Sequence, residues 1–168
     1  MLAILMTRQR YEQLLNQLNK LRNEDFPRNR RAMKEAMESG GGMHDNASYE
    51  HSLQDERLLL RRVAELESIV SAAQIITTPD STNTVRVGHR IRARDVKSEE
   101  PYDIIIGGYM DTNLDKNWCS YQAPLAASFI GKQVGDFVRF VSPAGEERLW
   151  EILEIEIANL EKECSDET

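Results

Sequence analysis

Two apolar seams constrain this chain more than any other feature. Tyr11, Leu14, Leu18 and Leu21 recur at spacings of three, four and three, and Leu59, Val63, Leu66, Val70 and Ala73 at four, three, four and three. A period of 3.5 is the a/d seam that two packed helices need. Between the seams lies Ser39-Gly40-Gly41-Gly42, the strongest breaker run in the sequence. One breaker between two seams predicts a long antiparallel helical hairpin with its polar tip between Glu38 and Asp45. Thr7 suits the N-cap of the first helix, and Asp45 or Asn46 that of the second. A helix from Arg8 to Glu38 would run roughly 45 Å at ~1.5 Å per residue. Pro27 should bend or interrupt it, because proline removes a backbone bond and crowds the preceding turn. The polar stretch Asn23 to Arg31 also breaks the seam, so the middle of the hairpin is expected to be its least tightly zipped part. The plainest alternative use of such a hairpin is a two-helix oligomerisation arm, which leaves the tip without a purpose.

After the hairpin the pattern changes. The Thr-, Pro- and Ser-rich stretch to Thr84 reads as a linker over residues 76–84. Val85, Val87, Ile91 and Ala93 suggest a strand, and Tyr102 to Ile106 another, ended by Gly107-Gly108. Pro124 to Ile130 reads as a short helix with proline in its first turn and Gly131 just past its end. Phe137 to Val141 and Leu149 to Ile157 complete the strands. Residues 85–160 are thus expected to form a small, mostly antiparallel α+β domain, with Tyr109, Trp118, Tyr121, Phe129 and Phe137 in its core. The acidic tail over 161–168 should fray.

Charge narrows the partners. Residues 1–75 hold eleven Lys/Arg and eleven Asp/Glu, so the later residues carry the whole net charge of −7. An acidic second half is repelled by duplex DNA or RNA, so a nucleic-acid role should run through a protein partner. No apolar run approaches the ~20 residues that span a bilayer, and the opening Met1–Met6 lacks the marks of a signal peptide. A cytoplasmic protein without a membrane partner is expected. Cys119 and Cys164 stand alone, with neither a disulfide framework nor a metal-ligand spacing.

The order of several short motifs then carries a resemblance. Ile4-Leu5-Met6-Thr7, Asp45-Asn46-Ala47-Ser48-Tyr49 and Arg62 to Glu67 are followed by Ala123-Pro124-Leu125, Ile130-Gly131-Lys132, Val134-Gly135-Asp136 and Pro143 to Glu146. In that order and spacing the whole chain resembles the GreA/GreB transcript cleavage factors. The resemblance implies a coiled-coil hairpin over 1–75 and an FKBP-like domain over 85–160. It implies a monomer that binds bacterial RNA polymerase, docks on the rim of the secondary channel and reaches the active centre with the hairpin tip. Such a factor is no enzyme by itself. It has no cofactor of its own, and the polymerase supplies Mg²⁺ and the catalytic site for hydrolysis near the nascent RNA 3′ end. One or two tip carboxylates help recruit the metal, which suits a hard ion that keeps most of its waters.

The tip departs from the family pattern. Asp45 stands where the family has Glu, followed by the matching Asn46 and Tyr49, but the other tip acid is replaced by Gly41 or Gly42. Asp45 is therefore the candidate catalytic carboxylate, with Asn46 and Tyr49 positioning it, and it is equally suited to capping the second helix. His44 could add a polar contact or simply be solvated. Glu38 and Glu50 lie a turn or more from the tip. Arg28, Arg30 and Arg31, with Lys34, form a basic cluster that either faces the extruded RNA or makes a solvated face paired with acids of the partner helix. A rival role is a channel occupant that inhibits or competes without stimulating cleavage. A third is an isomerase or chaperone, which no motif supports and which fold alone cannot establish.

Overall fold

The computed structural model describes residues 3–38, 47–113, 115–141 and 145–160. The chain divides into one unit over Tyr11–Ala73 and another made of Ala3–Arg10 with Gln74 onward. The architecture is α+β, a long helical hairpin followed by a mixed sheet with one short helix.

The first arm begins where the sequence marks it. Thr7 Oγ1 accepts a hydrogen bond from the Arg10 backbone N–H at 3.3 Å, which caps helix α1 (Arg8–Lys20). The chain then passes through a π-turn (Leu21–Asp25) into α2 (Phe26–Glu38) without leaving the helical path. Phe26 N–H closes the π-turn by donating to the Leu21 carbonyl. Pro27 explains it, since a proline ring clashes with the carbonyl four residues back and a wider turn relieves the crowding. The expected break at Pro27 is therefore a widened turn. The second arm is α3 (Ala47–Ser71), a single α-helix.

The seams face inward. Leu14, Leu18 and Leu66 are buried, and Tyr11, Leu21, Leu59, Val63 and Val70 are half-buried. The expected lapse between Asn23 and Arg31 is corrected by the structure. Asp25, Phe26 and Pro27 are half-buried, Asn29 is buried, and the seam resumes with Met33 and Ala36. Apolarity alone could not reveal a seam that continues through polar residues. The expected tip, Ser39 to Asn46, lies outside the described residues, as does the acidic tail from Glu161.

In the second unit, strands β1 (Ile4–Met6) and β2 (Ala73–Ile75) pair with each other. The main sheet contains β3 (His89–Asp95), β4 (Pro101–Gly107), β5 (Trp118–Ser120), β6 (Phe137–Val141) and β7 (Glu147–Ile157) in the order β5-β4-β3-β7-β6. Only β4–β5 is parallel among the pairs of this sheet. Val85 and Val87 are buried as expected but precede the strand, and Val85 N–H donates to the Lys132 carbonyl at 2.8 Å instead. Helix α4 (Pro124–Phe129) has proline in its first turn, and Gly131 beyond it takes φ +80°, the left-handed region glycine favours.

One hydrophobic core joins Ile91, Ile104, Ile106, Phe129, Val138 and Ile152. Trp118 is also buried, and Tyr109 and Tyr121 are half-buried, but Phe137 is 56% exposed and not a core residue. The register supplies the reason. Phe137 pairs with Glu151 on the solvent face of the sheet, and its neighbour Val138 takes the core side.

Strand β7 carries a bulge. Arg92 pairs with Glu154 but Ala93 with Ile152, which leaves Leu153 as the extra residue. Strict alternation from buried Ile152 would send Ile155 outward. The bulge returns Ile155 to the core, where both isoleucines are buried.

Candidate functional site on the hairpin

The sequence assigns function to the far half of the hairpin, where α2 and α3 run towards residues 39–46. Asp45 and Asn46 fall outside the described residues, so the site is built from what flanks them. Tyr49 sits half-buried in the first turn of α3.

Below the tip, Asn29 of α2 is buried against α3 and its Nδ2 donates to the Ser52 carbonyl at 3.0 Å. Ser52 is also buried, and its hydroxyl donates to the Ser48 carbonyl at 3.1 Å. Asn29 Oδ1 has no partner among the described residues. A buried amide bonded through one of its two ends is costly to keep, and it ties the two arms together at one height. Sequence reading missed this pair, because Asn29 lies in a stretch whose polarity suggests solvent. The available signal was spacing: Asn29 stands seven residues before Ala36.

The basic cluster is turned outward. Arg28, Arg30 and Arg31 are all exposed. Among the described residues, Arg28 meets Asp25 of its own arm at 4.0 Å and Lys34 meets Glu38 at 3.7 Å. Arg30 and Arg31 make no ion pair among the described residues. Among the described residues none of these arginines pairs with an acid of the opposite helix. Arg22 does make such a pair, bonding Glu67 across the hairpin. Exposed guanidinium groups close together can attract phosphate at little desolvation cost.

The second unit has a groove of about 560 Å³ whose walls include Leu5, Ile76, Arg86, Val87, Tyr121 and Ile130. Nearby, Asp111 accepts from Gly108 N–H at 3.1 Å and from Arg10 Nε at 3.4 Å. Burial pushes the Asp111 carboxyl above its ordinary value, and the Arg10 charge opposes the shift. Among the described residues no group of His, Cys, Asp and Glu could hold a metal ion. No described helix is long and apolar enough to cross a membrane.

Two family models match this architecture in chain order. Residues 4–75 match the transcription elongation factor N-terminal domain, and residues 80–157 match the GreA/GreB C-terminal domain. The chain belongs to the GreA/GreB family of transcription elongation factors. Among curated relatives, transcription elongation factor GreA of Paracoccus denitrificans is 33% identical over 150 residues, spanning 89% of this chain and 95% of the relative. GreA of Acidiphilium cryptum is 34% identical over 140 residues, 83% of this chain and 88% of that protein. A solved structure, GreA factor homolog 1 of Thermus thermophilus, aligns over 92% of this chain and 99% of its own at 24% identity and a TM-score of 0.40. Membership is carried by the sequence matches.

Proposed function

We propose that this GreA/GreB-family chain binds bacterial RNA polymerase, places its sheet unit on the secondary-channel rim and sends the hairpin inward to modulate elongation, assisting cleavage of backtracked RNA. The observation that carries this reading is the pair of family matches over 4–75 and 80–157, which span both the probe and the domain that would anchor it. A helical arm of 31 residues from Arg8 to Glu38 gives a reach of roughly 45 Å. The polymerase supplies Mg²⁺ and the reacting groups. Asp45 offers a carboxylate towards that metal, Asn46 and Tyr49 shape the start of α3 around it, and exposed Arg28, Arg30 and Arg31 attract the phosphates of the extruded RNA 3′ segment. The factor acts without a cofactor of its own and as a monomer.

The test is RNA shortening in stalled elongation complexes at saturating factor. The native chain should shorten the transcript and Asp45→Ala should lose most of that effect. No shortening by the native chain defeats the cleavage reading. A second reading is favoured by the glycines at 41 and 42, where the family places another acid. A channel occupant lacking that acid would slow nucleotide addition without cleavage. Gly42→Asp or Gly41→Asp should then convert it towards cleavage, and a native chain that already cleaves as fast as those variants refutes this reading.

A further inference from the structure

Counting heptads along the first arm from Leu14, Leu18 and Leu21 places the next seam positions at Asp25, Arg28, Ala32 and Glu35. Asp25 is half-buried as the count requires. Arg28, Ala32 and Glu35 are exposed, and Asn29, Met33 and Ala36 are covered in their place. The seam has advanced by one residue. The advance falls at the π-turn, where Phe26 N–H reaches back five residues to Leu21 instead of four. A π-turn takes one additional residue into a single helical turn and so changes the phase of everything beyond it. The opposite arm shows no such step, since one unbroken set of its covered positions, Tyr49, Ser52, Glu56, Leu59, Val63, Leu66 and Val70, alternates three and four throughout, with Leu53 and Ile69 flanking it.

We propose that the π-turn Leu21–Asp25 is a phase-setting insertion that keeps Arg28 off the seam, and that Asn29 is the positioning residue holding that phase. Without the extra residue's effect, the guanidinium of Arg28 would turn from solvent into the seam against α3, where desolvating a charge is expensive. With it, Arg28, Arg30 and Arg31 share the exposed surface of the arm. Asn29 fits the locking role because its amide meets the Ser52 carbonyl in one angular setting of α2, and a polar residue in a helical seam trades stability for a defined pairing. A shallow surface groove of about 230 Å³ lies beside the wide turn, lined by Leu21, Asp25, Leu66, Gln17, Lys20 and Arg62. The use of the arginines on RNA rests on the function proposed above, but the phase itself does not.

The experiment deletes Glu24 from the full chain and reads the phase by thiol labelling, with modified peptides mapped by mass spectrometry. Arg31→Cys and Ala36→Cys are made separately, with and without the deletion. In the native background a thiol at position 31 should react at least about tenfold faster than one at position 36. Deleting Glu24 should let the turn relax to an α-turn with the same residues facing α3, so the chain folds and the ratio persists. Deleting Arg31 instead leaves the π-turn in place and misaligns Met33 and Ala36, which should lower the unfolding temperature by about 5 °C or more. A Glu24 deletion that fails to fold, or that equalises or inverts the labelling ratio, overturns the insertion. Asn29→Leu should keep the helix content but narrow the ratio about threefold or more, and an unchanged ratio removes Asn29 from the proposal. None of these readings uses polymerase, so they stand or fall separately from the cleavage assay.

Discussion

In the hairpin, the π-turn Leu21–Asp25 advances the covered seam by one residue, a rotation of about 100° about the helix axis. In the sheet, Leu153 is one residue too many for strand alternation, and it turns the rest of β7 over to the opposite face. The two units thus meet the same problem with different geometry. A helix seam involves one stripe, so a single step can be held by one amide against one carbonyl, as Asn29 and Ser52 do. Strand β7 lies between β3 and β6, and its extra residue must keep the pairing with β3 on both sides of Leu153 while Glu147 to Glu151 stay in register with β6. Regularity is therefore cheaper to break in the hairpin, and the core of the sheet is the more demanding of the two.

The sharpest way to break this comparison is to truncate adjacent residues in β7. Ile152 is 1% exposed and Leu153 is 37% exposed. Ile152→Ala should cost about 2–5 kcal/mol in denaturant unfolding, and Leu153→Ala less than ~1 kcal/mol. Similar losses at both would show that the bulge does not direct Ile152 and Leu153 to different faces.

The hairpin counterpart should be milder. Leu66 is 1% exposed, but its seam is one layer deep, so Leu66→Ala is expected near the low end of the same range, at about 2 kcal/mol. Leu60, 54% exposed on the same helix, should tolerate alanine within ~0.5 kcal/mol. Loss of helical ellipticity on heating would resolve both.

A pH series separates the units further. His89 is fully buried in the second unit, and its Nδ1 accepts from Arg86 N–H at 3.0 Å. Burial lowers its imidazole below the ordinary 6.5, with Arg86 reinforcing the shift and the Ser81 backbone opposing it. As pH falls through 6.5 the unfolded chain takes up a proton that the folded chain refuses, so stability falls towards acid. Stability followed from pH 7 to pH 5 should decline more steeply for the native chain than for His89→Asn. Equal slopes would mean that His89 does not titrate differently on folding.

The smallest effect on stability should come from the exposed arginines. Arg28→Ala, Arg30→Ala and Arg31→Ala should each shift it by no more than ~0.5 kcal/mol. Together they should weaken binding to a stalled elongation complex and flatten its salt dependence. A large stability loss instead would give the cluster a structural role.

Much of the fold was legible. Thr7 capped the first helix, the heptads gave both arms, and Phe137–Val141 formed a strand with the bounds the sequence suggested. Three strands of three residues each escaped notice, because β1, β2 and β5 are too short to show alternation. Phe137 was misplaced because aromatic character does not reveal which face of an edge strand looks into the core. At the candidate site, the sequence named Asp45, Asn46, Tyr49 and the three arginines but gave the arginines no direction.

By itself, the sequence determined that there are two seams with one breaker between them, and it put a carboxylate, Asp45, close after glycines 41 and 42. Those properties are local, set by spacing and by which side chains carry charge. Only tertiary structure decided that Asn29 is inside and Arg28 outside. Each residue's own preference is for solvent, and the choice between them depends on the phase of one helix against another. That phase is a relation between arms, set by the widened turn before Pro27 and the carbonyl of Ser52, and no single segment of the sequence contains it.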